Sequence, residues 1–248
     1  IALHTMMIAI TFKTDFEQFH HIGQMEMNAQ EKENMRQKLN LSTLYNNFLK
    51  IKYFDIFCKE KRKLDLKTEA NAKETDKSYK KIFFEENRLL SLNSIFNDDE
   101  LKILLEKKYI TEISGLKLEI LESGEHTGIV NKIIDDKPIF VHKTYAEYFV
   151  ADWFINVFDE EKSRAEEILR FFLVSILTEE HQIVCSFFNS KLNNEIIERM
   201  TTYNGKTVIM TECEVGLLNF TIKNGWLKLA KYLVENGVRS DFLGNDGK

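Results

Sequence analysis

Proline occurs once in the 248 residues and glycine 10 times. Average usage near 5% would place roughly a dozen prolines in a chain of this length. So few breakers point to long helices joined with few tight turns. Cysteine is as sparse: Cys58, Cys185 and Cys213 lie far apart and are odd in number. No zinc spacing and no disulfide framework can be built from them, which fits a reducing intracellular compartment and a cytoplasmic protein. No stretch reaches the roughly 20 uninterrupted apolar residues of a membrane helix, so no membrane partner is expected. A basic surplus is also missing. The balance is 34 basic against 39 acidic residues, net −5, which argues against a nucleic-acid-coating surface. What the chain does have is apolar mass: 44% hydrophobic residues with 19 Phe exclude disorder throughout and suffice for a large core. It opens on Ile1, in a segment too short and uncharged at its start for a signal peptide. An internal piece of a longer polypeptide is the expectation.

Residues 2–12 are apolar nearly all round and predict a buried helix, with His4 a core or edge histidine. Between Lys13 and Asn40 the pattern breaks down. His20 and His21 there have no third ligand at useful spacing. Ser42 can cap a helix running to about Leu64, with Leu44, Tyr45, Phe48, Leu49 and Ile56 on its apolar face. Lys59, Lys61, Arg62 and Lys63 then read as ordinary cations at a helix C-terminus. Residues 67–78 are polar without apolar periodicity and predict a loop. A further helix carries Ile82, Phe83, Leu89, Leu90, Leu92 and Phe96. Asp98 is expected to cap a short one with Leu101, Leu104 and Leu105. Gly115 and Gly124 are expected to punctuate a variable stretch.

Strand character is confined to Gly128–Ile134 and Pro138–Val141, with Asp135, Asp136 and Lys137 as the connecting turn and Pro138 tolerable at a strand start. Next comes His142-Lys143-Thr144-Tyr145-Ala146-Glu147, in which Thr144 and Glu147 have the spacing of a capping box. The helix from Tyr145 to Phe158 puts Ala146, Phe149, Val150, Trp153, Phe154 and Val157 on one broad face, widened by Tyr145 and Tyr148. It reads as a core element. His142 then sits just outside a helix start, where free backbone N–H groups favour anions. Helices, one small hairpin and a helix suggest a winged-helix unit. Two more helices follow, one with Ile168, Leu169, Phe172, Leu173, Ile176 and Leu177, the other with Ile183, Val184, Phe187 and Phe188.

Asn204-Gly205-Lys206-Thr207 ends like a phosphate-binding loop, but the glycine required five residues before Gly205 is Met200. No catalytic arrangement of Ser, His, Asp or Cys is assignable from spacing. The carboxylates are spread along helices as solvated faces, and the chain is not expected to be an enzyme by itself.

Gly216 to Gly237 resembles an ankyrin repeat. The matching features are Asn224-Gly225 between two short helices, the Leu227, Leu229, Tyr232, Leu233 pattern, and Asn236-Gly237 ending the second helix. Gly216 to Asn219 depart from the family's opening turn, as a first, capping repeat does. Asn245-Asp246-Gly247-Lys248 looks like the lead-in to a next repeat, and a single repeat cannot bury its own faces. Phe140 to Ala151 is similar to the end of the winged-helix region of NACHT-type signalling ATPases, in which F-[IV]-H-x-[ST]-[FY]-x-E-[FY]-[FL]-x-A recurs. Leu44-Tyr45 and Phe83 to Phe96 also resemble helices that precede it in arthropod NACHT–ankyrin proteins. Ile1-Ala2-Leu3 resembles the start of the helix after that family's conserved proline.

This resemblance implies a switch. The motif histidine, here His142, reaches the β-phosphate of ADP held on a neighbouring nucleotide-binding domain, and exchange for ATP releases the winged helix for assembly into a homo-oligomer. The cofactor would be ADP/ATP, bound mainly outside this sequence, where the phosphate-binding loop and the magnesium-binding strand lie. Partners would be that intramolecular domain and a protein bound by the ankyrin array. The expected fold is mainly α: a helical bundle with a small winged-helix β-hairpin, ending in an ankyrin helix pair. Its expected divisions are a helical and winged-helix region over 1–158, a helical extension over 159–205, and the start of the array over 206–248. The alternative is a helical and ankyrin interaction scaffold without a working nucleotide switch. A DNA-reading winged helix is a third reading, disfavoured because the helix after His142 carries Glu147, Asp152 and a nearly continuous apolar face.

Overall fold

The computed structural model describes residues 41–53, 69–123, 129–160, 164–193, 195, 196, 199, 202–203, 206–207, 218 and 221–235. The expectations for residues 2–40 with His4, His20 and His21, for Ile56 and the Lys59–Lys63 cluster, and for the chain after Glu235 lie outside these residues. The fold is mainly helical with a small antiparallel hairpin, as expected. Among the described residues no helix is long and apolar enough to cross a membrane. Two compact units divide the chain, one from 1–85 with 125–130 and the other from 86–124 with 131–248.

In the first unit, α1 (Leu41–Lys52) buries Leu44, Tyr45, Phe48 and Leu49, the face that its spacing predicts. Tyr53 meets Phe83 at 5.5 Å between ring centroids. Phe83 belongs to α2, which runs unbroken from Glu69 to Ile95. The loop expected at 67–78 is therefore helical from Glu69 onward. The run Glu-Ala-Asn-Ala-Lys-Glu has no apolar period, but glutamate, alanine and lysine are strong helix formers. Propensity carries the helix where no core stripe is available.

The second unit holds the end of α2 from Glu86, the remaining helices and the hairpin from Asn131 onward. Helix α3 (Asp98–Leu104) starts one residue earlier than Asp98 capping would place it. Asn97 is the N-cap: its side-chain oxygen accepts the Asp99 and Glu100 N–H groups at 3.0 Å, while Glu100 accepts the Asn97 N–H at 2.8 Å. That capping box satisfies donors that would otherwise face water alone. The variable stretch expected around Gly115 is helix α4 (Lys107–Ser123). Ile113, Leu116 and Ile120 are buried at helical spacing and hold it through the glycine, whose helix penalty is only about 1 kcal/mol.

Strands β1 (Val130–Ile134) and β2 (Lys137–Phe140) pair as the hairpin. Its turn is shorter than expected: Asp135 and Asp136 alone occupy it, both with positive φ (48° and 62°), and Lys137 is already in the strand. Two left-handed residues match the right-handed twist of the flanking strands, and aspartate tolerates that conformation. Two lysines fasten the hairpin. Lys117 of α4 donates to the Asp136 carboxylate at 2.6 Å, and Lys137 donates to the Phe96 carbonyl at 2.7 Å.

Helix α5 (Lys143–Glu160) is the centre of this unit. Tyr145, Ala146, Tyr148, Phe149, Val150, Ala151, Phe154, Val157 and Phe158 are all buried. Helix α6 (Ala165–Phe171) continues as a π-helical turn over Phe172–Ile176, and α7 (Gln182–Lys191) then packs along α5. Phe154, Phe158, Phe172 and Phe188 form one aromatic cluster, with Phe172 and Phe188 at 4.4 Å between centroids. The π turn leaves the Ile176 carbonyl to accept the buried Cys185 thiol at 3.1 Å. Two-residue strands β3 (Thr202–Tyr203) and β4 (Lys206–Thr207) pair antiparallel, so Lys206 and Thr207 lie in a strand rather than at a helix start. Asn-Gly between paired residues is a hairpin signal in its own right. Last, residues 221–223 are helical and α8 (Leu227–Glu235) follows a turn at Asn224–Gly225, where Gly225 takes φ +68°. Leu229, Tyr232 and Leu233 are buried as their pattern predicts, whereas Leu227 is 74% exposed.

Candidate functional site

Strand β2 ends at Phe140, α5 begins at Lys143, and His142 occupies the N-cap between them. The cap differs from the one expected. Thr144 lies inside the first turn rather than ahead of it, and the group that accepts its backbone N–H is the His142 ring nitrogen Nδ1, at 3.3 Å. The Thr144 hydroxyl also meets Nδ1. Glu147 does not reach back to Thr144; its carboxylate pairs with Lys143 at 3.5 Å. The physical reason is length. A strand ending at Phe140 leaves only Val141 and His142 to turn the chain, so the helix starts before Thr144 can serve as its cap.

This arrangement sets the histidine's protons. A backbone N–H can only donate, so Nδ1 carries its lone pair and the ring proton of the neutral form sits on Nε2. The imidazole is exposed, with Nε2 remaining for an outside acceptor. Exposed Lys143 is beside it, and the first N–H groups of α5 favour negative charge there. Val141, 63% exposed, adds an apolar neighbour. Chemically, the corner is a hydrogen-bond donor beside a positive helix end, suited to hold an anion. Half-buried His181 lies near the same helix start. Its pKa is lowered, first by burial and also by Lys143, against the opposing pull of Glu180, Glu100 and Glu147.

A second charged cluster escaped sequence reasoning. Asp152, which the sequence offers only as a charge unfavourable to DNA, is buried on α5. Arg88 of α2 donates to its Oδ2 from Nε at 2.8 Å and Nη2 at 2.6 Å. Lys191 of α7 donates to its Oδ1 at 2.6 Å, to the Tyr148 hydroxyl at 3.0 Å, and lies 4.1 Å from the Tyr148 ring centroid. Burial pushes the Asp152 carboxyl up, but the charges and hydrogen bonds of Lys191 and Arg88 outweigh it and hold the group below its ordinary value. Burial, followed by the Asp152 charge, keeps Tyr148 protonated. A signal for this cluster is present in the sequence: a carboxylate between Ala151 and Trp153, in a helix apolar nearly all round, has to be buried and therefore needs cationic partners. Which cations those are is not readable, because Arg88 and Lys191 are 64 and 39 residues away.

No protein-family model matches the chain, and no curated protein and no solved structure matches it.

Proposed function

We propose that the chain is the regulatory segment of a NACHT-type nucleotide-switched signalling protein, in which His142 senses ADP held on a neighbouring domain and α5 passes the state to a protein-binding ankyrin array. The supporting observation is the commitment of His142. Its Nδ1 is used in capping α5, which leaves Nε2 of the exposed ring for an outside acceptor at the helix end where an anion is stabilised. An imidazole N–H donated to a phosphate oxygen contributes about 1.5–3 kcal/mol, roughly ten- to a hundredfold in affinity. That is enough to bias a two-state switch towards its ADP form. Hydrolysis, on this reading, belongs to the domain that carries the phosphate-binding loop.

The cap itself favours a second reading, an interaction scaffold without a working switch, since starting α5 gives His142 a structural task. One substitution separates the two. In the polypeptide that includes the nucleotide-binding domain, His142→Ser keeps an N-cap oxygen but removes the reach of the ring. The nucleotide switch requires ADP release to accelerate at least about tenfold, the lower end of the affinity range above. An unchanged release rate, with stability retained, leaves the scaffold.

A further inference from the structure

Lys191 and Leu192, adjacent at the end of α7, face two different parts of the unit. Lys191 reaches the buried Asp152 and Tyr148 of α5. The Leu192 carbonyl accepts Lys228 Nζ of α8 at 2.7 Å. At the opposite end of α7, Gln182 donates to Asn224 at 2.8 Å, and exposed Glu179 pairs with Lys223 at 3.6 Å. The C-terminal helix pair thus grips α7 at both ends, but only one grip lies next to the buried charges.

We propose that the carboxyl end of α7 is a relay, by which displacement of the C-terminal helix pair loosens the Arg88–Asp152–Lys191 cluster and with it the helix that His142 caps. The relay deepens the function proposed above and rests on it for its purpose, though not for its mechanics. Leu192 is at the end of α7, where terminal carbonyls have no partner within the helix, and the Lys228 ammonium caps one of them. Withdrawing that ammonium frays the last turn, where Lys191 is anchored. Lys191 is then drawn off Tyr148, and Asp152 keeps only Arg88. A buried polar network is stable when complete and costly when partly satisfied, so the cluster changes state as a unit. Apolar side chains could fill the same space with equal or better stability. A joint made of charges gains something else, a defined geometry that a small movement can undo.

Backbone amide exchange on the whole 248-residue chain tests this without nucleotide, so it can fail while the nucleotide reading stands, and the converse. Lys228→Ala should speed exchange of the α5 amides between residues 148 and 152 about fivefold, the equivalent of one lost hydrogen bond. Lys223→Ala, which cuts the exposed grip at the other end of α7, should leave them unmoved. In a Lys191→Met background, Lys228→Ala should add nothing, because the link is already broken. Equal acceleration by both surface substitutions, no acceleration by Lys228→Ala, or the same acceleration with and without Lys191 overturns the relay. The two surface variants decide the matter even where Lys191→Met does not fold.

Discussion

Replacing Asp152 by asparagine should be among the most damaging isosteric changes in the second unit. The side chain keeps its volume, so packing is not the variable. Both carboxylate oxygens are engaged, Oδ2 by Arg88 and Oδ1 by Lys191, so an amide must turn its NH2 group towards one of two cationic donors. One hydrogen bond becomes a donor–donor contact, and two cations lose their counter-charge. Removing one partner from a buried ion pair costs about 3–5 kcal/mol. Arg88 and Lys191 keep 17% and 16% of their side-chain surface in contact with water. That residual hydration favours the lower end, about 3 kcal/mol. Urea unfolding followed by circular dichroism at neutral pH measures it as a lowered midpoint at constant slope. The pH dependence has a defined sign. The folded-state pKa of Asp152 is depressed, so its contribution is fully present above the unfolded value near 3.9 and is lost as pH falls through the lower folded value. The gap between wild type and Asp152→Asn should stay constant from about pH 7 to 5 and close only below about 4. Substituting the three charged residues together with apolar ones of similar size, Arg88→Met, Asp152→Leu and Lys191→Met, should recover most of the loss. An unfolding free energy within about 0.5 kcal/mol of wild type, or a gap that already fades near pH 6, would refute the reasoning.

Two further outcomes are expected. Asn97→Ala removes the side-chain half of the α3 capping box, leaving only the backbone N–H of residue 97 on Glu100, and should lower stability by about 1 kcal/mol, while Asn97→Asp should be close to neutral; thermal melts compare them. Burial pushes the Cys185 thiol up to about 12. It should resist maleimide labelling at pH 8 in a folded chain with Cys58 and Cys213 replaced by serine, and react on addition of denaturant; fast labelling of Cys185 in that folded chain would contradict its burial.

The helical class, the apolar faces of α1 and α5, and the small hairpin were legible from the residues in order. Each rests on local periodicity: apolar side chains at three- and four-residue steps, or the alternation ahead of an Asp-Asp turn. Local errors came where two local signals competed. Residues 69–78 lack an apolar stripe yet are rich in helix formers, and propensity prevailed. Gly115 suggested a break, but Ile113, Leu116 and Ile120 continue the helical period across it. Thr144 and Glu147 match a capping box, yet the hairpin ends too close to them and hands the cap to His142.

The sequence by itself determined that His142 would stand at the start of a buried helix, next to a strand, at the end that favours anions. Only the tertiary structure decided which ring nitrogen that helix uses, and so which one is left for a partner. It alone also gave Asp152 its neighbours. Hydrophobic periodicity reports which side of a helix is buried, since that is a property of adjacent turns. The choice of Arg88 and Lys191 as counter-charges depends on how α2 and α7 pack against α5, and no spacing along the chain encodes that packing.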